Sequence, residues 1–110
     1  MKSLQHTKLH HYVSRDRILT KLGFGSYRKY LDSPLWASIR ATVLAEQPKC
    51  CKCRKRRAVQ VHHKKYTKAN LSGRSTNWMV GVCDVCHRAA HNSNGDRVSL
   101  PAANRFLRGA

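Results

Sequence analysis

Cys50-Cys51-Lys52-Cys53 and Cys83-Asp84-Val85-Cys86 give a chain of 110 residues two Cys-x-x-Cys pairs. Two residues between thiolates let one tight turn present both sulfurs to one ion, and two such pairs complete a tetrahedral zinc site. The pairs lie 29 residues apart, more than a simple zinc ribbon needs, so a small subdomain must fit between them. Ordinary buried cysteines would leave the paired spacing unexplained. A thioredoxin-like redox role needs a βαβ context that this chain does not offer. A chain this short buries a modest core and leans on such support. Cys50, Cys53, Cys83 and Cys86 together leave no open coordination position, so this zinc is expected to be structural. Its contribution is folding free energy, on the order of 10 kcal/mol. Cys51 is then the spare thiol; its use as a ligand, one residue from Cys53, is the less favoured alternative.

The opening stretch, MKSLQHTKLHHYVSRDR, has no apolar segment of signal-peptide length, and no run anywhere is long enough to span a bilayer. The expected compartment is therefore intracellular and reducing, where clustered cysteines read as metal ligands rather than disulfides.

Histidine is the second concentrated chemistry. His87 and His91 follow the second cysteine pair at a spacing that puts both on one helical face, where two imidazoles can hold one divalent ion. Two solvated helix histidines are the bland alternative, and the adjacent cysteine pair weighs against it. His62 and His63 are adjacent, so on a strand they point to opposite faces. That implies a division of labour, with one imidazole reaching the metal and the other acting separately. A hydrolase needs a metal to stabilise charge on phosphate and a base to activate water. A neutral histidine, kept uncharged by nearby lysines and arginines, suits the second role.

Charge points to the partner. Twenty-two Lys+Arg against 5 Asp+Glu give a formal net charge of +17, a surface that attracts polyanions. Lys52, Arg54, Lys55, Arg56 and Arg57 lie beside the first cysteine pair, and Lys64, Lys65 and Lys68 follow the histidine pair. Such residues contact phosphates and position a strand without reading bases, and they make binding steeply salt-dependent. Some of them are simply solvated.

The coarse layout begins with a loose basic arm over residues 1–13. A short helix is expected over 14–22, with Ser14 as N-cap and Gly23 past its end, and another turn of helix over 26–31. Ser33-Pro34 is a strong start signal for a helix running to about Glu46 and stopping before Pro48, with Trp36, Ile39 and Val43 on its core face. Ala58 to His62 reads as a strand, 65–76 as a polar loop, Trp78 to Val82 as a second strand, and the helix carrying His87 and His91 follows. From Asn92 on, the chain is polar with an apolar patch at Leu100, Phe106 and Leu107 and no assigned role.

His62-His63, then Asn77, then Cys83-x-x-Cys86-His87 with His91 resembles the HNH endonuclease signature. Tyr30 through Trp36 and Arg40 to Cys50-x-x-Cys53 also resembles the lead-in of small bacterial and phage HNH proteins, so the resemblance covers roughly residues 26–91. It implies an α+β fold: a zinc-stabilised ββα-metal finger, treble-clef-like, preceded by N-terminal helices. The implied layout is an arm and short helix over 1–25, the finger over 26–91 and a tail over 92–110. It implies metal-dependent hydrolysis of phosphodiester bonds in DNA, double-stranded first of all, in the cytoplasm of a bacterial or phage-infected cell. His62, His87 and His91 are the implied ligands of a catalytic divalent metal, which imidazole ligation allows to be Mg, Mn, Ni or Zn. His63 is the implied general base and Asn77 the residue that fixes it. Asn77 stands six residues before Cys83, whereas many members place it five before. One step on a regular strand flips the side chain to the other face, so the implied role of Asn77 requires a bulge or loop start at this point. A double-strand cut by one active site also calls for a second copy or another protein partner.

Two other readings compete. A non-catalytic zinc module that binds nucleic acid explains the charge and the cysteines equally well, but not the four histidines together. A membrane-surface protein needs a basic amphipathic helix, and the 33–46 helix is only lightly charged.

Overall fold

The computed structural model describes residues 4–93, 96–97 and 99–108, with side chains described for 11–91 and 99–107. Helix α1 spans Leu4–Lys21, longer at its start than the 14–22 expected, so residues 4–13 are helical rather than a loose arm and Ser14 lies inside the helix. No Gly or Pro interrupts this stretch, and buried Tyr12, whose ring lies 6.2 Å from that of Tyr66, anchors its middle. The helix ends as expected, with Gly23 at φ 98°, a left-handed conformation that glycine adopts without cost.

Helix α2 (Tyr27–Leu31) is capped by Ser26, whose side chain accepts from Lys29 N. Helix α3 (Pro34–Glu46) starts as its sequence predicts. Ser33 accepts from Trp36 N, Pro34 occupies the first turn, and Trp36, Ile39 and Val43 are buried. The chain then turns through the first cysteine pair, where Lys49 bridges to Arg57 and Arg54 takes φ 57°.

Strand β1 (Gln60–His63) pairs antiparallel with β2 (Met79–Val82), in the register Val61 opposite Gly81 and His63 opposite Met79. The 65–76 segment, expected as a loop, contains a one-turn helix α4 (Lys68–Leu71) closed by a reciprocal cap between Thr67 and Asn70. Helix α5 (Asp84–His91) follows β2 directly. A two-residue hairpin, β3 (Asn92–Ser93) with β4 (Asp96–Arg97), leads into α6 (Leu100–Arg108). The fold is thus α+β, with the expected order strand, loop, strand, helix at its centre. No described helix is long and apolar enough to cross a membrane.

The pleat of the hairpin separates two cores. Val61 and Met79 face α3 and join Leu19, Tyr30, Trp36, Ile39, Val43 and Leu71. Val82 faces the other way and packs with Cys50, Cys83, Cys86, Ala90, Ala103 and Leu107. Alternate residues of a strand point to opposite faces, so His63 belongs to the first side and His62 to the second. The segment after Asn92 packs α6 onto α5, with Ala103 and Leu107 in one cluster with Cys86 and Ala90, and Leu100 is buried too.

The outer edge of β2 is tied down by Gln47, at the end of α3. Its Nε2 donates to Met79 O at 3.1 Å and its Oε1 accepts from Gly81 N at 3.1 Å. This close approach requires glycine. A Cβ at residue 81 would lie 2.7 Å from Gln47 O and 2.9 Å from Ala58 Cβ.

Candidate metal centre and histidine cleft

The two cysteine pairs converge. Cys50, Cys53, Cys83 and Cys86 each offer a sulfur, and the four lie within 4.8 Å of one another. Cys50, Cys83 and Cys86 are buried. Cys53 Sγ and Cys83 Sγ are 4.0 Å apart, and each accepts a backbone N–H at 3.4 Å, from Arg56 and Cys86 respectively. Such donors favour thiolate over thiol. The N–H groups of Arg56 and Lys55 pull the Cys53 thiol down to about 6. Burial, reinforced by the neighbouring sulfurs, pushes Cys86 up to about 12. A cluster that favours some thiolates and resists the last is short of positive charge, and a divalent cation supplies it. The donor set therefore fits a structural metal of the zinc type. Cys51 stands outside the cluster, as expected of the spare. Its backbone N–H bonds Gly81 O, and burial raises its thiol.

The histidines form a second group. His62, His87 and His91 offer ring nitrogens within 4.8 Å of one another. His62 Nδ1 lies 3.1 Å from His91 Nε2, and the His87 and His91 rings meet edge to face at 4.7 Å, as their spacing on α5 dictates. Metal binding needs neutral imidazoles, and burial supplies them. It lowers His62 to about 4, opposed by the hydrogen bond His62 makes to Asn104 Oδ1 and helped by His87 and Lys64, and it lowers His87 against the pull of Asp84. Three ring nitrogens in one place fit a divalent cation and leave coordination positions open.

His63 occupies the opposite face. Its ring is stacked between Trp36, at 5.1 Å, and Tyr66, at 5.2 Å, each tilted by 29°. It is 3% exposed, and its Nε2 is buried with no hydrogen-bond partner. Burial pushes its pKa down to about 3, with His62, Arg15 and His87 adding to the effect. Both sides meet in one cleft of ≈ 510 Å³, lined by His62, His63, His87 and His91 together with Tyr27, Tyr66, Asp84 and Arg88.

Asn77 is exposed, and among the described residues it makes no hydrogen bond to His63. The sequence count assumed a strand from Trp78, but β2 starts at Met79 and Trp78 takes φ 69°, which breaks the regular alternation. The buried asparagine of this loop is Asn70, 1% exposed, which sequence reasoning missed. Its Nδ2 donates to Lys65 O at 2.7 Å and Asn77 O at 3.4 Å, and its Oδ1 accepts from Thr67 N at 3.0 Å, so it ties the loop after His63 to the entry of β2. The signal was Thr67-x-x-Asn70, a capping-box spacing with Asn in the acceptor place. Asn104 and Arg88 were missed as well. The first touches His62 and the second lines the cleft.

Of the basic residues, Arg54, Lys55, Arg56, Arg57, Lys64, Lys65 and Lys68 are exposed, and Lys52 is half-buried. Lys52 Nζ lies 4.7 Å from the Phe106 ring centroid and Lys65 Nζ 4.8 Å from that of exposed Trp78.

Comparison of the chain with protein-family models, with curated proteins and with solved structures found no match.

Proposed function

We propose that this protein is a metal-dependent endonuclease of the HNH type that hydrolyses phosphodiester bonds in DNA. The observation that carries the reading is the convergence of His62, His87 and His91 within 4.8 Å, in the same cleft as His63. A structural cysteine cluster alone does not call for a second, histidine-only group with open coordination. His62, His87 and His91 would hold a divalent cation, which supplies Lewis-acid stabilisation of the charge that builds on phosphate. His63 lines the same cleft and is the proposed base; burial in the aromatic stack holds it neutral but far below the pKa range in which an imidazole takes a proton efficiently, so the role requires its ring to gain a hydrogen-bond partner when substrate binds. Arg88 in the cleft, and Lys64 and Lys65 after β1, are donors for phosphate oxygens and carry affinity without base readout. Asn70 holds the loop that follows the base.

A second reading, a non-catalytic zinc module that binds nucleic acid, draws on a specific observation. His63 Nε2 is buried without a hydrogen-bond partner, and exposed Asn77 does not supply one. Elemental analysis separates the two. The nuclease reading expects two metals per chain, falling to one in His87→Ala with the cysteine-bound ion retained. One metal in both proteins contradicts it.

A further inference from the structure

Asn104 lies on α6, downstream of the hairpin and α5, yet its side chain reaches the histidine cluster. Its Nδ2 donates to Lys64 O at 2.9 Å, and its Oδ1 is 2.7 Å from His62 Nε2. A backbone carbonyl only accepts, so the amide NH2 must face Lys64. The amide oxygen then faces His62, and it too only accepts. His62 Nε2 must therefore carry the ring proton, and Nδ1 keeps its lone pair. Nδ1 is the nitrogen that lies 3.1 Å from His91 Nε2.

We propose that Asn104 is a positioning residue: it locks His62 in the Nε2–H tautomer and so presents Nδ1 to a divalent cation shared with His87 and His91. The inference rests on reading those three histidines as a metal site. A ligating histidine whose second nitrogen is held by an oxygen acceptor is fixed in orientation and made a better donor, and loss of such a partner weakens metal binding by about 10–100-fold. The device also gives α6 a function. Ala103 and Leu107 seat the helix on the α5 side of the fold, and that seating delivers Asn104 to a strand residue 42 positions earlier.

The test uses the full chain with one equivalent of Zn2+ bound at the cysteines. Imidazole 15N NMR reads the His62 tautomer, and calorimetry then follows Ni2+ binding. Wild type is expected to show a single Nε2–H tautomer and to bind one Ni2+. Asn104→Ala is expected to mix the tautomers and weaken Ni2+ binding by about 10–100-fold. Asn104→Asp keeps the acceptor but loses the donor to Lys64, and it is expected to retain both the tautomer and the Ni2+ affinity. Wild-type tautomer and affinity in Asn104→Ala overturn the proposal and leave the metal-site reading standing. Equal losses in Asn104→Ala and Asn104→Asp assign the residue a purely structural part and also overturn it. A wild type that binds no Ni2+, with His62→Ala no different, overturns the metal-site reading and this inference with it.

Discussion

His62 and His63 are adjacent in the chain but serve opposite sides of the β1–β2 hairpin: the first lies 3.1 Å from His91, and the second is stacked 5.1 Å from Trp36. The two-residue period of a strand produces this separation. It lets one strand feed a histidine cluster and a buried aromatic stack at once.

The stack predicts how stability responds to acid. The folded-state pKa of His63 is depressed to about 3 from an ordinary 6.5, chiefly by burial. Between those values the unfolded chain binds the proton and the folded chain does not, so stability rises with pH across this window. The contribution is complete above about pH 6.5 and is lost as pH falls toward 3. At pH 5 the loss should be about 2 kcal/mol. His63→Phe keeps an aromatic ring between Trp36 and Tyr66 and removes the titration. Urea melts at pH 7.5 and pH 5 should show a smaller loss in His63→Phe than in wild type. Equal losses in both would show that the His63 ring is not buried in the neutral form.

The cysteine cluster predicts dependence on metal. A chelator that strips the ion should abolish the cooperative thermal transition, because binding free energy on the order of 10 kcal/mol exceeds what a core of this size supplies. Cys50→Ser should behave like the stripped protein. Cys51→Ser should melt much closer to wild type than Cys50→Ser, since the Cys51 thiol lies outside the four-sulfur cluster and is only partly buried, and its backbone bond to Gly81 O is kept. Retained circular dichroism and melting in the stripped chain would contradict a structural role for the metal.

Gly81 predicts a packing defect. In Gly81→Ala the new methyl meets Gln47 O at 2.7 Å, and that carbonyl cannot retreat easily. Gln47 is held by its own backbone bond to Val43 O and by its side-chain bonds to Met79 and Gly81. Overpacking of this kind costs about 1–3 kcal/mol, or roughly 5–15 °C in Tm for a domain of this size. Differential scanning calorimetry checks it, and an unchanged Tm would show that β2 can slide away from α3.

Much of the site could be read from spacing because it is built from local rules. Ser33-Pro34 starts α3 where the capping chemistry says it should, the cysteine pairs converge, and His87 and His91 share a helix face because four residues make about one turn. What stayed hidden depends on contacts between distant segments. Nothing near His63 in the chain announces that Trp36 covers it. Asn77 was placed by counting along a strand that Trp78 interrupts with a positive φ. Helix α6 had a local signal, since Ser99 Oγ accepts from Ala102 N just ahead of Pro101, much as Ser33 caps α3. Its contact with His62, however, is set by how Ala103 and Leu107 seat it and by the bond of Asn104 to Lys64 O. The same reasoning hid Asn70, whose value lies in bonding Lys65 and Asn77 across the loop.

The central claim is that the histidine cleft cuts DNA, and the direct measurement is a plasmid-nicking assay of wild type and His63→Ala. The assay runs in Mg2+, Mn2+, Ni2+ or Zn2+ with an EDTA control, and DNA affinity is measured in parallel. The account predicts metal-dependent nicking by wild type, a loss of at least about 100-fold in His63→Ala, as expected for removal of a general base, and near-equal DNA affinity in the two. Tight DNA binding by both proteins with no cleavage under any metal would contradict it and leave the finger as a binding scaffold.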